Sequence, residues 1–439
     1  LSILRYPKAV AATLRRMHRW QVLDRYLPEF GVIRSLVRLD RYHQYTVDEH
    51  TLYAIENLEA ATLARLEDGQ VFLDIREGVE KPELLRLAIL LHDVGKGTQG
   101  PSGHEDRSVE MAKIVLNRLG LNAGDQEVVL FLISRHLDMS YTAQQRDLDD
   151  LQVIERFAEL VKDEQHLKML YLLTFADMRA VSPSVWSGWN AVLLWELYTR
   201  TLKFLQGRRV PQLDELRTRV IELIGDRVDR AAIEQHFERM PEGGLISQTP
   251  EFLCKQIQLV QQLGNAPITV SCFAEDPTHT QLGICTRDAQ GIFRRITGVL
   301  AIQNINILSA VINTRSDGIV LDVLTVTDGR TEKDAVSTAQ CHQIAETLTA
   351  VWKGETDVES LLQKQSKRPL PAYMQRRSSS PEIHINNDES ERATIIDIRA
   401  PDRVGLLYTI SNSFYELGLD IRLAKITTEA FTAIDSFYV

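Results

Sequence analysis

The stretch LLRLAILLHDVGKG, Leu84 to Gly97, is an apolar helix that ends with His92 and Asp93 side by side. Leu84, Leu85, Ala88 and Leu91 form its buried stripe, and Pro82 suits the first turn, so the spacing predicts a helix from Pro82 to about Val94. An imidazole and a carboxylate on adjacent residues, followed by Gly95 and Lys96, place two metal-ligating groups and a phosphate-seeking cation within one turn. The bundle that covers this helix must therefore also accommodate its polar end. That arrangement suits a hydrolase. Taken alone, the same residues also read as ordinary helix-end punctuation.

Other imidazoles and carboxylates continue apolar stripes on the neighbouring predicted helices. Thr46-Val47-Asp48-Glu49 matches a capping box, so a helix opens there, and His50, Ala54 and Leu58 share its inward face. Ser102-Gly103-His104-Glu105 matches another, which places His104 at a helix N-terminus, where the dipole disfavours imidazolium. Val128, Leu132 and His136 form a stripe, as do Met169, Leu173 and Asp177. A lone inward histidine is usually a satisfied core residue, and Asp177 alone needs only a nearby cation or a helix cap. Together, these residues on consecutive helices point to a metal site. His43 lies close enough in sequence to join the pocket, whereas His18 and His166 read as structural.

Composition narrows the class. With 439 residues, 44% hydrophobic and 25% charged, the chain has room for two to four soluble domains. A net charge of −10 with dispersed basic residues argues against nucleic-acid binding. The cysteines, Cys254, Cys272, Cys285 and Cys341, show no CxxC or zinc spacing, which predicts a reducing compartment and no disulfide framework. No apolar run is long enough to span a bilayer, and Leu1 to Val10 lacks a signal peptide's core, so the expected location is the cytoplasm, with no membrane partner. The opening LSILRYP and the closing DSFYV suggest a chain cut from a longer one at both ends.

The later part of the chain repeats. Ile284–Thr314 aligns with Ile398–Thr428 at an offset of 114: Asp288 with Asp402, Gly291 with Gly405, Asn306-Ile307 with Asp420-Ile421, Ala310 with Ala424. Each copy reads as strand, Asp-x-x-Gly turn, amphipathic helix and two strands, an order βαββ. A helix over 334–352 follows the first copy, whereas the second stops after its third strand, so one or both closing elements are expected to be missing. The period fits duplicated domains rather than a solenoid.

The pattern of His50, then His92-Asp93, then Asp177 on helices resembles the HD superfamily of metal-dependent phosphohydrolases. The repeated copies resemble ACT domains, ferredoxin-like modules (βαββαβ) that bind amino acids at the first strand-to-helix turn. The implied fold is therefore multidomain, an all-α HD-type bundle followed by α+β ACT domains. Its expected parts are a helical lead-in (1–40), an HD domain (41–205), a helical connector (206–265), a first ACT domain (266–360), a basic Pro/Ser-rich linker (361–381) and a truncated second ACT domain (382–439). In that order, with TVDEHTL, LLHDVGKG and PDRVGLL, the chain resembles the bifunctional uridylyltransferase/uridylyl-removing enzymes that modify the PII nitrogen-signal protein. Their N-terminal nucleotidyltransferase signature has no counterpart in residues 1–40, so the resemblance implies hydrolysis and not transfer.

What the resemblance implies is removal of UMP from a tyrosine of PII, with L-glutamine as effector. One or two ions of Mn²⁺ or Mg²⁺ are implied on His50, His92, Asp93 and Asp177, with Asp93 bridging to His104 and His136; the ligand types do not choose the metal. Asp93, Lys96 and His43 are the candidate catalytic residues, and His43 or His104 the candidate proton donor. In the repeats, Gly291 and Gly405 let helix amides approach a ligand carboxylate, with Asp288 and Asp402 for the ammonium, although each Asp also suits a plain helix cap. Dimerisation through the ACT domains is a further implication. Two other readings stay open at this level: a hydrolase of free nucleotides or alarmones under amino-acid control, and a non-catalytic amino-acid sensor.

Overall fold

A computed structural model describes residues 1–37, 45–60, 74–99, 103–181, 186, 188–207, 213–241, 245, 248–276, 278–330, 334–365, 381–390, 393–403, 405–429 and 432–439. It divides into two compact units, 1–143 with 154–207, and 144–153 with 208–439. The ten residues 144–153, which the sequence reading leaves inside the helical domain, thus belong to the second unit. Arg146 ties them there: its guanidinium donates to both carboxylate oxygens of Asp397, each at 3.1 Å.

The first unit is helical. The helix Pro82–Leu91 is buried from Glu83 to its end, Arg86 included, because helices surround it. Arg86 meets the carbonyl of Leu4, and Glu83 meets Arg5 at 2.8 Å, so the polar positions of an otherwise apolar helix are served by the N-terminal residues. Truncating a leucine as enclosed as Leu90 or Leu91 costs about 2–5 kcal/mol, because the gap cannot collapse. The predicted opening at Thr46 holds, with the helix Val47–Ala60 starting next to it. The helix His104–Arg118 is capped by Gly103 without a side-chain bond, and Ser102 lies outside the described residues, so the predicted capping box is replaced there. On Ala123–Ser134 the buried face runs through Val129, Leu132 and Ile133 rather than Val128.

The second unit holds one eight-stranded antiparallel sheet in the order β1-β2-β4-β3-β7-β8-β6-β5. The strands are β1 (Ile268–Asp276), β2 (His279–Arg287), β3 (Ile305–Thr314), β4 (Ile319–Asp328), β5 (Glu382–Asn386), β6 (Ile395–Pro401), β7 (Leu423–Glu429) and β8 (Thr432–Tyr438). Each copy has four strands, because the edge strand that the βαββ reading leaves out comes from upstream: β1 pairs with β2, and β5 with β6. A hairpin strand laid antiparallel on the edge supplies the same ladder bonds as a closing strand.

The two copies pair with each other about a pseudo-two-fold axis. Ala310 of β3 faces Ala424 of β7, and the hydroxyls of Thr297 and Ser411 meet at 3.0 Å, both pairs separated by the repeat offset of 114. Equivalent residues meet because an interface closed by a two-fold must place like against like. Pairing of this kind, expected between chains, is made here within one.

The predicted connector is structural. Helices Leu213–Ile224, Arg230–Arg239 and Pro250–Leu263 share a core with Cys285 and Leu321 on one face of the first copy's sheet. Helices Ile292–Ile302 and Thr338–Trp352 pack with β2 and β4 residues such as Leu282, Ile284 and Leu324. At Gly283 a Cβ would lie 3.1 Å from Leu259 and 2.9 Å from Phe273, so a glycine is needed beneath the helix Pro250–Leu263. The predicted linker starts late, since a helix spans Val358–Gln365, and its basic residues from 366 to 380 lie outside the described residues.

The cysteine expectation is corrected. Cys272 of β1 and Cys341 of the helix Thr338–Trp352 form a disulfide with Cα atoms 6.2 Å apart, brought together by packing across 69 residues of sequence. Cys254 and Cys285 are free and buried, and burial raises both thiols, that of Cys285 to about 12. Protein purified without reductant is therefore expected to give no fast-reacting thiol when native, two after unfolding and four after unfolding with reductant, by colorimetric thiol titration.

Candidate metal centre

Each side chain of the candidate centre is delivered by a helix end or an inward helical face of the first unit. His50 is in the first turn of Val47–Ala60, and Asp177 is near the end of Glu164–Val181. His92 closes Pro82–Leu91, and Asp93 leads into the short 3₁₀ turn Val94–Gly97. His104 opens its helix, and His136 follows Ala123–Ser134. His50, His92, Asp93 and His136 are each 1% exposed.

The donor atoms converge. His50 Nε2 lies 2.8 Å from Asp177 Oδ1, and His92 Nε2 lies 3.5 Å from the same oxygen. Asp93 Oδ2 is 3.3 Å from His92 Nε2 and 3.8 Å from His50 Nε2, while Asp93 Oδ1 is 3.4 Å from His104 Nε2. One trio is His50, His92 and Asp177, and a second is His92, Asp93 and His136, each with its ligand atoms within 4.8 Å of one another. His104 is outside both trios but beside Asp93, and its ring is 5.5 Å from that of His136.

Two backbone carbonyls set the imidazoles. His92 Nδ1 meets the Ile89 carbonyl at 2.7 Å, and His136 Nδ1 meets that of Ile133 at 2.8 Å. A carbonyl only accepts, so Nδ1 carries a proton in both rings and Nε2 is the nitrogen turned towards the cluster. Gly95 has a packing task. A Cβ there would fall 2.2 Å from the His104 carbonyl and 2.6 Å from the Ser108 nitrogen, so the glycine lets the next helix press against the turn and bring His104 to Asp93. Ser108, which sequence reasoning passed over, holds that contact through its hydroxyl and the Gly95 N–H at 2.9 Å.

The electrostatics call for a cation. Burial opposes charge on Asp93 and Asp177, yet both are held well below the usual carboxylate range, Asp93 by His92 and Lys96 and Asp177 by His50 and His92. Burial likewise opposes charge on His92, but Asp93 and Asp177 push it up to about 10. Burial takes His104 down to about 4 and lowers His136. The imidazolium of His92 and Lys96, 2.7 Å from Asp93, thus supply the charge that a metal ion would supply. His92 Nε2, Asp93 Oδ1 and His104 Nε2 are buried without a hydrogen-bond partner, so the cluster leaves donor atoms unsatisfied. Mixed imidazole and carboxylate donors fit a divalent ion.

His43 lies outside the described residues. His18 is elsewhere, held between Asp24 at 2.6 Å and Asp48 at 2.9 Å, and His166 pairs with Asp163 at 2.8 Å.

Residues 47–172 match the HD domain. The matched stretch carries His50, His92, Asp93, His104 and His136, and it stops just short of Asp177. Over its full length the chain is 34% identical to the bifunctional uridylyltransferase/uridylyl-removing enzyme of Azospirillum brasilense, covering 48% of that protein. It is 32% identical to the enzymes of the same description from Rhodospirillum rubrum and Ectopseudomonas mendocina, again over the whole chain and covering 47% and 50% of them. The chain thus spans about half the length of these relatives and corresponds to their C-terminal half. Among the described residues no helix is long and apolar enough to cross a membrane.

Two outcomes follow for the HD domain. Mn²⁺ at 100 times its dissociation constant should stabilise the native state by about 2.7 kcal/mol, and His92→Ala or Asp177→Ala should remove that thermal shift. In the metal-free protein His92 has its pKa raised from 6.5 to about 10, so its contribution is whole below pH 6.5 and is lost as pH rises towards 10. Urea unfolding in EDTA should show that decline, and His92→Gln should flatten it.

Proposed function

We propose that this chain hydrolyses the phosphodiester between UMP and a tyrosine of the PII signal protein, in the cytoplasm, under control by L-glutamine bound to its ACT domains. The observation that carries this reading is the convergence of His50, His92, Asp93, His104, His136 and Asp177 in an HD domain of a chain similar throughout to uridylyl-removing enzymes. His50, His92, Asp93 and Asp177 would hold one Mn²⁺ or Mg²⁺, and His136 and His104 would share Asp93 with a second. Bound there, the ions supply Lewis acidity, making water a nucleophile near neutral pH and neutralising phosphoryl charge.

The protein's own groups do the rest. Lys96 keeps Asp93 ionised and adds a cation 2.7 Å from it, which would also attract the phosphodiester. Asp93 spans the site, with one oxygen towards His50 and His92 and the other towards His104. Water adds to phosphorus, the bond from phosphorus to the tyrosine oxygen breaks, and UMP and tyrosine are the products. A phenolate with a pKa of about 10 leaves more readily than an alkoxide, which lowers the demand for a general acid. His104, beside Asp93, serves the second ion rather than proton transfer, since burial holds its ring neutral.

The test is UMP release from uridylylated PII with Mn²⁺, with and without L-glutamine. Asp93→Ala should lower the rate more than roughly 100-fold, beyond the 10–100-fold typical of losing a group that only supports a ligand. Release that survives both Asp93→Ala and chelation would overturn the reading.

A further inference from the structure

Residues 144–153 run from the end of the helix Asp138–Gln145 to the start of Leu151–Val161, and within the second unit they lie on β6 and β8. The contact is polar and buried. The Arg146 guanidinium donates to both oxygens of Asp397 at 3.1 Å and also to Glu389, and Arg146 is 4% exposed. The Ser436 hydroxyl lies 2.8 Å from Gln145 Oε1 and beside Asp397, the Asp147 N–H donates to the Tyr438 hydroxyl at 2.8 Å, and the Ser390 hydroxyl donates to Asp150 at 3.1 Å. Gln145, Asp150, Ser390, Ser436 and Tyr438 are all buried.

The first copy covers the same place differently. Asp397 aligns with Gly283 at the repeat offset of 114, and their cross-strand neighbours are Ser436 and Val323. Over Gly283 lies Leu259 of the helix Pro250–Leu263. An apolar cover holds by buried area and tolerates small slides, whereas a guanidinium forked onto a carboxylate accepts one orientation. A buried ion pair also adds less stability than apolar residues of the same volume, so what this one supplies is position.

That position reaches the first unit through one helix. His136 precedes Asp138–Gln145 by two residues, and Arg146 follows it directly. The helix has 8 residues, which rise about 12 Å as a stiff rod, so fixing one end constrains the other. We propose that Arg146 and Asp397 are positioning residues for the metal centre: their latch on the second copy's sheet anchors the helix that follows His136 and thereby aims that imidazole. This rests on the metal centre proposed above and adds a covalent tie between that centre and the repeated copies.

Hydrogen exchange of the whole chain, free of metal, tests the anchor. In Asp397→Asn the amides of 138–145 should exchange roughly tenfold faster, while those of Val47–Ala60, which carries His50, should not change. Mn²⁺ titration of the same proteins tests the aim. Asp397→Asn should weaken roughly tenfold the ion that His136→Ala also weakens, the low end for a group that supports a ligand, and leave the ion on His50 and Asp177 within about twofold. Arg146→Lys, which keeps the charge without the fork, should lose less. If Asp397→Asn melts early, Tyr438→Phe carries the test, since it removes one bond of the latch and should give the same pattern at smaller size. Exchange at 138–145 that ignores both variants, or a loss of Mn²⁺ affinity spread equally over both ions, would overturn the proposal. If the unaltered chain binds no Mn²⁺ while exchange still follows the latch, the metal centre is rejected and the anchor on the helix after His136 stands.

Discussion

Two buried carboxylates among imidazoles set the terms for the first unit. Asp93 and Asp177 sit where ionisation is opposed by burial, and they remain ionised because His50, His92 and Lys96 surround them. Every neighbouring element is placed to meet that demand: helix ends present His50, His92, His104 and His136, and backbone carbonyls turn the rings of His92 and His136 inward. A cluster so arranged gains little as a structural device, since apolar residues of the same volume would pack at lower cost. Its organisation makes sense as a receptor for a cation.

The second unit is organised by a different constraint, the need to close a sheet built from duplicated halves. β3 and β7 are the strands that would otherwise be exposed edges, and each covers the other through the pseudo-two-fold axis. Symmetry places Ala310 on Ala424 and Thr297 on Ser411, where small side chains allow close approach. The departure from symmetry at Ala301 and Tyr415 is then conspicuous, because it lies beside a turn rather than in the shared core.

Much of the first unit was legible because helical periodicity and chemistry coincide there. His50 and Asp177 continue apolar stripes, and a stripe predicts direction, so those inward polar residues could be nominated before any contact was known, whereas His92 and Asp93 were marked by closing an apolar helix. The role of Gly95 was not legible, since the requirement comes from a helix nine residues further on. Likewise the disulfide, the upstream edge strands and the placing of residues 144–153 depend on what lies opposite in space. Asp322 and Asp435 carried a signal, an acid at an apolar position of an alternating strand, but its meaning required knowing that both lie under a turn bearing another acid.

By itself the sequence determined the helical class of the first unit, the duplication with its offset of 114, and the residue types gathered at His92-Asp93, because periodicity and repetition are properties of a linear string. The tertiary structure alone decided which oxygen of Asp93 faces which imidazole and which strand completes each half of the sheet. Those are distances between residues far apart in the chain, and they are set by packing, where the shape of one element is fixed only against the surface of another.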